Sequence, residues 1–330
     1  MKGATTLRLG ALLLLLGAAV VASIAFGAAG LPLRDVAHAL LGGGEEATRT
    51  IVLQLRLPRT ATAALVGGAL ALSGATFQAL LRNPLAEPYI LGISSGAAVG
   101  AVGATALGWA VRAPWAVPAA AFVGALLATL LVFRIAAAVG RTLDTRVLLL
   151  AGVVVGAFFN AVILLLLTFA DVETFRAAVF WMMGGLGSSS WPAAAVLAAY
   201  LVPAVLVLLA LARSLNLLAI GEETAEYLGT RVERVKVAAF LTASLMVAAG
   251  VAVSGVIGFI GLIVPHALRL LWGSDHRLLL PASLLAGAAF LLAADIVART
   301  VAAPAELPVG VVTALIGVPI FVTLLTRRGS

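Results

Sequence analysis

The chain has 330 residues, of which 63% are hydrophobic and 11% charged, with a net charge of +7. Those fractions exclude an ordinary soluble domain and predict a polytopic membrane protein with no room for a large soluble module. Cysteine is absent, which excludes disulfides, thiolate metal sites and a cysteine nucleophile. The basic residues sit at the joints between apolar runs, so membrane orientation accounts for the charge better than nucleic acid does.

The first apolar run is Leu7 to Ala29, beside Lys2 and Arg8. It is long enough to span and many runs follow, which predicts a retained helix rather than a signal peptide. Leu31 to Arg56 is polar by comparison and reads as an external loop with a short amphipathic helix. Leu57 to Leu81 is the second run. Pro58 stands at its expected start, where a missing N–H costs nothing. Its small residues Gly67, Gly68, Ser73 and Gly74 form a close-packing face. Pro88–Leu107, Pro114–Ala138 and Val147–Ala170 follow as the third to fifth runs.

Thr174 to Leu186 is too short to span and predicts a re-entrant or interfacial helix. The sixth run is Trp191–Leu211. Arg213 to Lys236 is the longest polar stretch. Val237–Ser254, Gly258–Trp272, Leu278–Val297 and Leu307–Leu325 complete the set. The fold class is therefore all-α and polytopic, with about ten transmembrane helices. Five runs on each side of a polar centre predict two inverted halves. Basic residues on the side of the termini (Arg82, Arg141, Arg146, Arg213, Arg327 and Arg328 among them) outnumber those opposite by about two to one, which puts both termini in the cytoplasm.

Gly258-Phe-Ile-Gly-Leu-Ile-Val-Pro-His266 is unlike a plain anchor. Glycines allow close backbone approach, and Pro265 removes a helix hydrogen bond that another group must satisfy. The segment predicts packed, discontinuous helices of the kind transporters use.

Catalytic signals are missing. There is no G-x-x-x-x-G-K-[ST] stretch for ATP and no H-E-x-x-H, and His38, His266 and His276 lie on separate joints. Asp295 is the one acid well inside a run, with Arg299 one turn later as a same-face partner. A secondary transporter should carry more intramembrane acids than that, so an autonomous transporter or channel is the weaker alternative. The stretch from Ala219 to Arg231 predicts a short helix from Glu222 to Leu228, stopped by Gly229. It is either a solvated loop or a helix that docks on a partner. Arg56, Arg59 and Arg299 share the external face, either snorkelling to headgroups or forming a basic ring for a soluble partner.

Eight motifs stand in order along the chain: Leu55-Arg-Leu-Pro-Arg59, Gly74 to Pro88, Leu91-Gly-Ile-Ser-Ser-Gly-Ala97, Leu148 to Gly152, Gly258 to His266, Asp275-His-Arg277, Ala294 to Arg299 and Glu306 to Thr313. Taken together, they resemble the permease subunits of bacterial ABC importers of the FecCD type, which carry ferric siderophores, haem or vitamin B12. Each is modest alone; their order along nearly the whole chain is specific.

The resemblance implies one permease domain, 1–330, in the inner membrane, working as a homodimer with no cofactor. Two cytoplasmic ATPase subunits would supply energy, and a periplasmic or lipid-anchored binding protein would deliver ligand. Within a coupling segment at about 213–236, Glu222, Ala225, Glu226, Tyr227, Leu228 and Gly229 match the part that meets the ATPase. Arg56, Arg59 and Arg299 match positions that pair with glutamates of the binding protein. Asn83, Leu85 and Thr145 match a cytoplasmic gate, where Arg146 departs from the small polar residue expected. Trp181, Met182 and Met183, on the short helix at about 174–186, match the external mouth of the path. Phe180-Trp-Met-Met-Gly-Gly185 looks closer to the vitamin B12 members than to the siderophore pattern Trp-x-x-Gly-Ser. The implied cargo is a large metal chelate, with the choice among corrinoid, haem and siderophore open.

Overall fold

A computed structural model describes residues 2–139 and 144–326 of the chain. Arg141, Arg327 and Arg328, counted above for orientation, lie outside the described residues.

The helices, in chain order, are α1 (Lys2–Ala25), α2 (Leu33–Leu40), α3 (Glu46–Thr50), α4 (Leu57–Leu80), α5 (Ile93–Ala106), α6 (Trp109–Arg112), α7 (Ala116–Val139) and α8 (Thr145–Thr168). They continue with α9 (Val172–Met182), α10 (Trp191–Ala210), α11 (Ala212–Ile220), α12 (Glu222–Tyr227), α13 (Val232–Ser254), α14 (Ile260–Trp272), α15 (His276–Thr300) and α16 (Val309–Thr326). Seven stretches are long and apolar enough to cross a bilayer. The shorter apolar helices α5, α14 and α16 stand where the third, eighth and tenth spans are expected. Ten alternating passes put the first and last helix ends on one side, called here the terminal side; the opposite side is the far side.

The second pass begins earlier than its hydropathy predicts. A π-helical turn, Ile51–Arg56, joins α3 to α4, and the helix runs unbroken from Glu46 to Leu80. Pro58 therefore lies inside a continuous helix, not at its start. The widened turn before it absorbs the hydrogen bond that proline cannot make. Arg56, expected at a loop boundary, is carried into the helix and buried.

Helix α4 is buried along nearly its whole length and forms the centre of the bundle. Glycines bring its neighbours to backbone contact. A Cβ at Gly74 would collide with the Gly261 carbonyl of α14, and one at Gly67 with the Gly287 carbonyl of α15. Without a hydrophobic driving force between helices in lipid, this close dispersion packing is what holds them together. The outer faces of α7 and α8 expose Leu127, Leu130, Val153, Val154 and Phe158, as lipid contact requires.

The third and eighth passes are interrupted. Helix α5 has 14 residues and α14 has 13, so each is about 20 Å long against a bilayer core of about 30 Å. Each starts at a left-handed residue, Gly92 (φ 75°) or Phe259 (φ 70°). The chain breaks at Gly255–Phe259, and α14 then runs through Pro265 as a regular helix. The orphaned Gly261 carbonyl, four residues before that proline, accepts from Gln78 Nε2 at 3.3 Å. The same amide reaches the Leu262 carbonyl at 3.2 Å. A side chain of α4 thus satisfies the group the proline freed.

The two interrupted segments meet. Glu87 accepts a hydrogen bond from the Phe259 N–H at 2.8 Å. The Tyr89 hydroxyl accepts from the Ile257 N–H at 3.1 Å and donates to the Ile257 carbonyl at 2.9 Å. Non-helical backbone at membrane depth is tolerated only with such partners. The short helix expected near 174–186 is α9, capped by Asp171, whose carboxylate accepts from the Thr174 N–H at 2.7 Å.

Candidate functional site

Three places gather the residues singled out from sequence. The first is a charge network at the far side, where α1, α4 and α15 converge. Asp295 is fully buried. It takes a bidentate pair from Arg59 (2.8 Å at its shortest) and a contact from Arg299 at 2.9 Å, the expected one-turn neighbour. Arg59 also reaches Glu306 at 2.8 Å. Arg299 continues to the Ser23 carbonyl and hydroxyl, both at 3.1 Å. Arg56 donates to three carbonyls at the end of α1 and just beyond: Ile24 and Ala25 at 2.8 Å and Ala29 at 2.6 Å.

Snorkelling to headgroups is therefore not what these arginines do: Arg56 is 4% exposed and Arg299 3%. A guanidinium offers five donors in a fixed fork, which suits both carboxylates and clustered helix-end carbonyls. All three arginines line one cavity of about 350 Å³ together with Glu306, whose side chain is 41% exposed. Sequence reading missed Glu306 as a member, although it opens the Glu-Leu-Pro-Val-Gly motif.

The second place is an apolar cavity of about 600 Å³. Met182 and Met183 line it with Gly258, Phe259, Leu315 and Val318. Methionine thioethers give such a wall soft, adaptable contacts. Trp181 does not join them. It packs back into the helical core, toward a separate small cavity beside Pro114 and Val117. Three consecutive residues at the end of a helix cannot share one face, since each step turns the side chain by about 100°.

The third place is a groove of about 930 Å³ on the terminal side, walled by charged and polar groups. Asn83, Thr145 and Arg146 line it together with Glu222, Glu223, Thr224 and Glu226. Asn83 caps its own turn, its Oδ1 accepting from the Leu85 N–H at 2.9 Å, and the Thr145 hydroxyl points at the Leu80 carbonyl (3.5 Å). Leu85 is partly exposed beside them.

Helix α12 forms the groove's other wall. It ends with the N–H of Gly229 (φ 83°) donating to the Glu226 carbonyl and that of Thr230 to the Ala225 carbonyl, a Schellman motif. Ala225 is buried, which fixes the helix to the bundle, while Tyr227 is 91% exposed and Leu228 62% exposed. Glu222 bridges Arg82 and Lys236, each at 2.9 Å.

The preceding helix α11 is tied down separately. Its Asn216 donates to Asp275 Oδ1 at 2.8 Å and accepts from the His276 N–H at 2.8 Å. Hydrogen bonds from the Arg277 side chain, and then from Asn216, hold the Asp275 carboxyl well below the usual carboxylate range. It stays ionised as the cap of α15 at any physiological pH.

Comparison with known proteins agrees with this architecture. A profile of the FecCD transport family matches residues 13–327. The vitamin B12 import system permease protein BtuC of Escherichia coli O6:H1 is 46% identical over 278 residues, covering 84% of each chain. The solved structure of a putative metal-chelate type ABC transporter in an inward-facing conformation superimposes with a TM-score of 0.88. It is 33% identical and covers 97% of this chain and 98% of its own. The chain belongs to the FecCD transport family, as a multi-pass permease of the ATP-binding-cassette importer type whose ATPase is a separate protein.

Proposed function

We propose that this permease moves a large metal chelate from periplasm to cytoplasm, with a corrinoid such as cobalamin as the leading cargo. The observation that carries the reading is the 46% identity, over most of both chains, to a permease named for vitamin B12 import. The methionine-lined cavity supports it, because thioether side chains give a bulky ligand a soft, adaptable wall.

In this reading the terminal side is cytoplasmic and the chain, a single domain, sits in the inner membrane of a bacterium. Two copies pair, each seating one ATPase subunit against its segment 213–236. Helix α12 presents Tyr227 and Leu228 as the docking knobs, with Glu222, Ala225, Glu226 and Gly229 shaping and fixing the helix. Asn83, Leu85 and Thr145 form the cytoplasmic gate. Met182 and Met183 line the external mouth, with Trp181 as their packing support. The touching breaks at Glu87–Gly92 and Gly255–Phe259 support two inverted halves, since each is the start of the third pass of its half.

The binding protein docks over the far-side arginine cavity. Arg56 and Arg299 are spent on internal partners, so an incoming carboxylate meets Arg59 first, at the position Glu306 now holds. Charge pairing there gives steering and register more than bulk affinity.

The test reconstitutes the chain in liposomes with its ATPase and binding protein. Uptake of radiolabelled cobalamin, haem and a ferric siderophore is compared with and without ATP. ATP-dependent cobalamin uptake is expected. Uptake of an iron chelate alone would remove the corrinoid assignment and leave the permease in place.

A further inference from the structure

Lys236 has no place in the reading so far, and its setting is unusual. Its ammonium group sits on the second turn of α13, 2% exposed, and pairs with Glu222 Oε2 at 2.9 Å. A buried ammonium without a carboxylate is strongly disfavoured, so Glu222 is fixed to α13 wherever α13 goes. The other oxygen of Glu222 holds Arg82 Nη2 at 2.9 Å. Arg82 is one of two non-glycine residues in the left-handed region among the described residues, with φ 47°. That conformation is the left-handed stop of α4, where the Arg82 N–H donates to the Ala79 carbonyl and the Asn83 N–H to the Gln78 carbonyl. Asn83 follows directly and lines the terminal-side groove.

One carboxylate therefore joins three elements: the first residue of α12, the foot of α13 and the loop after α4. Helix α13 runs from this foot to the Gly255–Phe259 break, where Val256, Gly258 and Phe259 line the methionine cavity on the far side. Helix α11, by contrast, is anchored to α15 through Asn216 and Asp275. The hinge between the two anchorages is Gly221, whose φ of 148° and ψ of 148° are open to glycine.

We propose that the Lys236–Glu222–Arg82 triad is the transmission clamp of this permease. Motion of α12 turns about Gly221 and is passed through Glu222 to two places at once. Arg82 carries it to the gate loop at Asn83–Leu85, and Lys236 carries it along α13 to the far-side cavity. Arg82 and Lys236 are positioning residues: neither touches cargo or nucleotide. The proposal rests on α12 being the helix that meets the ATPase, and the physical requirement is a packed element that both sites bias.

The chain has no cysteine, so a single Leu85→Cys reports the gate loop by its rate of labelling with N-ethylmaleimide. The assembled complex with its ATPase is labelled in the resting state and after trapping with ATP and vanadate. With the triad intact, trapping is expected to change the labelling rate by about tenfold, within the usual range of coupling between sites. In Lys236→Met, and independently in the exposed Arg82→Ala, the change should fall below about twofold, while the ATPase still co-purifies at full stoichiometry. Lys236→Arg, which keeps the charge, should restore the response.

An unchanged response in both Lys236→Met and Arg82→Ala would overturn the clamp. So would loss of the ATPase from the variants, since the triad would then only hold α12 in place. Failure of the docking reading itself shows differently: with the triad intact, the Leu85→Cys chain would then bind no ATPase or give no response to trapping.

Discussion

Replacing Asp295 by alanine is expected to be the most damaging single change in the chain. Its carboxylate is fully buried and neutralises two guanidinium groups, Arg59 and Arg299, that reach it from α4 and from its own helix. Removing it leaves both cations inside the bundle with one exposed carboxylate, Glu306, touching only Arg59. Breaking a buried pair by deleting one partner costs about 3–5 kcal/mol, because the remaining charge is uncompensated. The same size of loss is expected here, read as a large drop in the thermal midpoint of the purified chain in detergent. Glu306→Gln is the contrasting variant. That carboxylate is partly in water, and exposed pairs are worth at most about 1 kcal/mol. If the two variants melt alike, the network is not organised around Asp295.

The second large effect falls on the other side of the membrane. Tyr227 and Leu228 stand out from α12 into solvent while Ala225 anchors the helix beneath them. A large aromatic and an aliphatic side chain exposed side by side on a capped helix are the kind of anchor that dominates an interface. Truncating such a residue costs about 2 kcal/mol or more, roughly thirtyfold in affinity. Tyr227→Ala with Leu228→Ala should therefore release the ATPase, measured as lost co-purification and lost ATP hydrolysis in the membrane fraction. Insertion and thermal stability of the permease should stay unchanged, because neither side chain is packed within it. Retention of the ATPase by this double variant would move the docking surface elsewhere.

Much of this architecture was legible in the sequence because the bilayer imposes a length and a composition on each pass. Runs of apolar residues marked all ten passes, the eighth visibly short for a span, and the polar centre divided them. Pro265 announced that a carbonyl would need an outside donor. What sequence could not say was that the donor is Gln78, some 180 residues away. Helix starts were hidden where charge is satisfied at long range. Arg56 looked like a loop residue because the three carbonyls that receive it come from the end of α1 and the turn just beyond it. The short, interrupted α14 was announced by its glycines and proline; what was hidden is the residue that makes the break, Phe259, whose left-handed backbone its residue type does not signal and which is held by Glu87 from another part of the chain.

The candidate sites divided in the same way. The helix at Glu222 and its glycine stop were readable from local rules, since a Schellman cap involves only neighbouring residues. The pairing of Asp295 with Arg299 was readable from helical spacing. The partners of Arg59, Glu306 and Lys236 were not readable, because each lies on another element of the fold. The grouping of Trp181 with the two methionines came from the family resemblance, and the helix turns Trp181 away from the cavity that the methionines line.

The most direct test of the account is which energy source moves the cargo. The complete assembly, and the permease alone, are placed in liposomes under two conditions: ATP on the side of α12, or a proton gradient without ATP. Cobalamin uptake is expected from the complete assembly only, requiring ATP on that side and indifferent to the gradient. Uptake by the permease alone, driven by the proton gradient, would contradict it and make the chain an autonomous transporter.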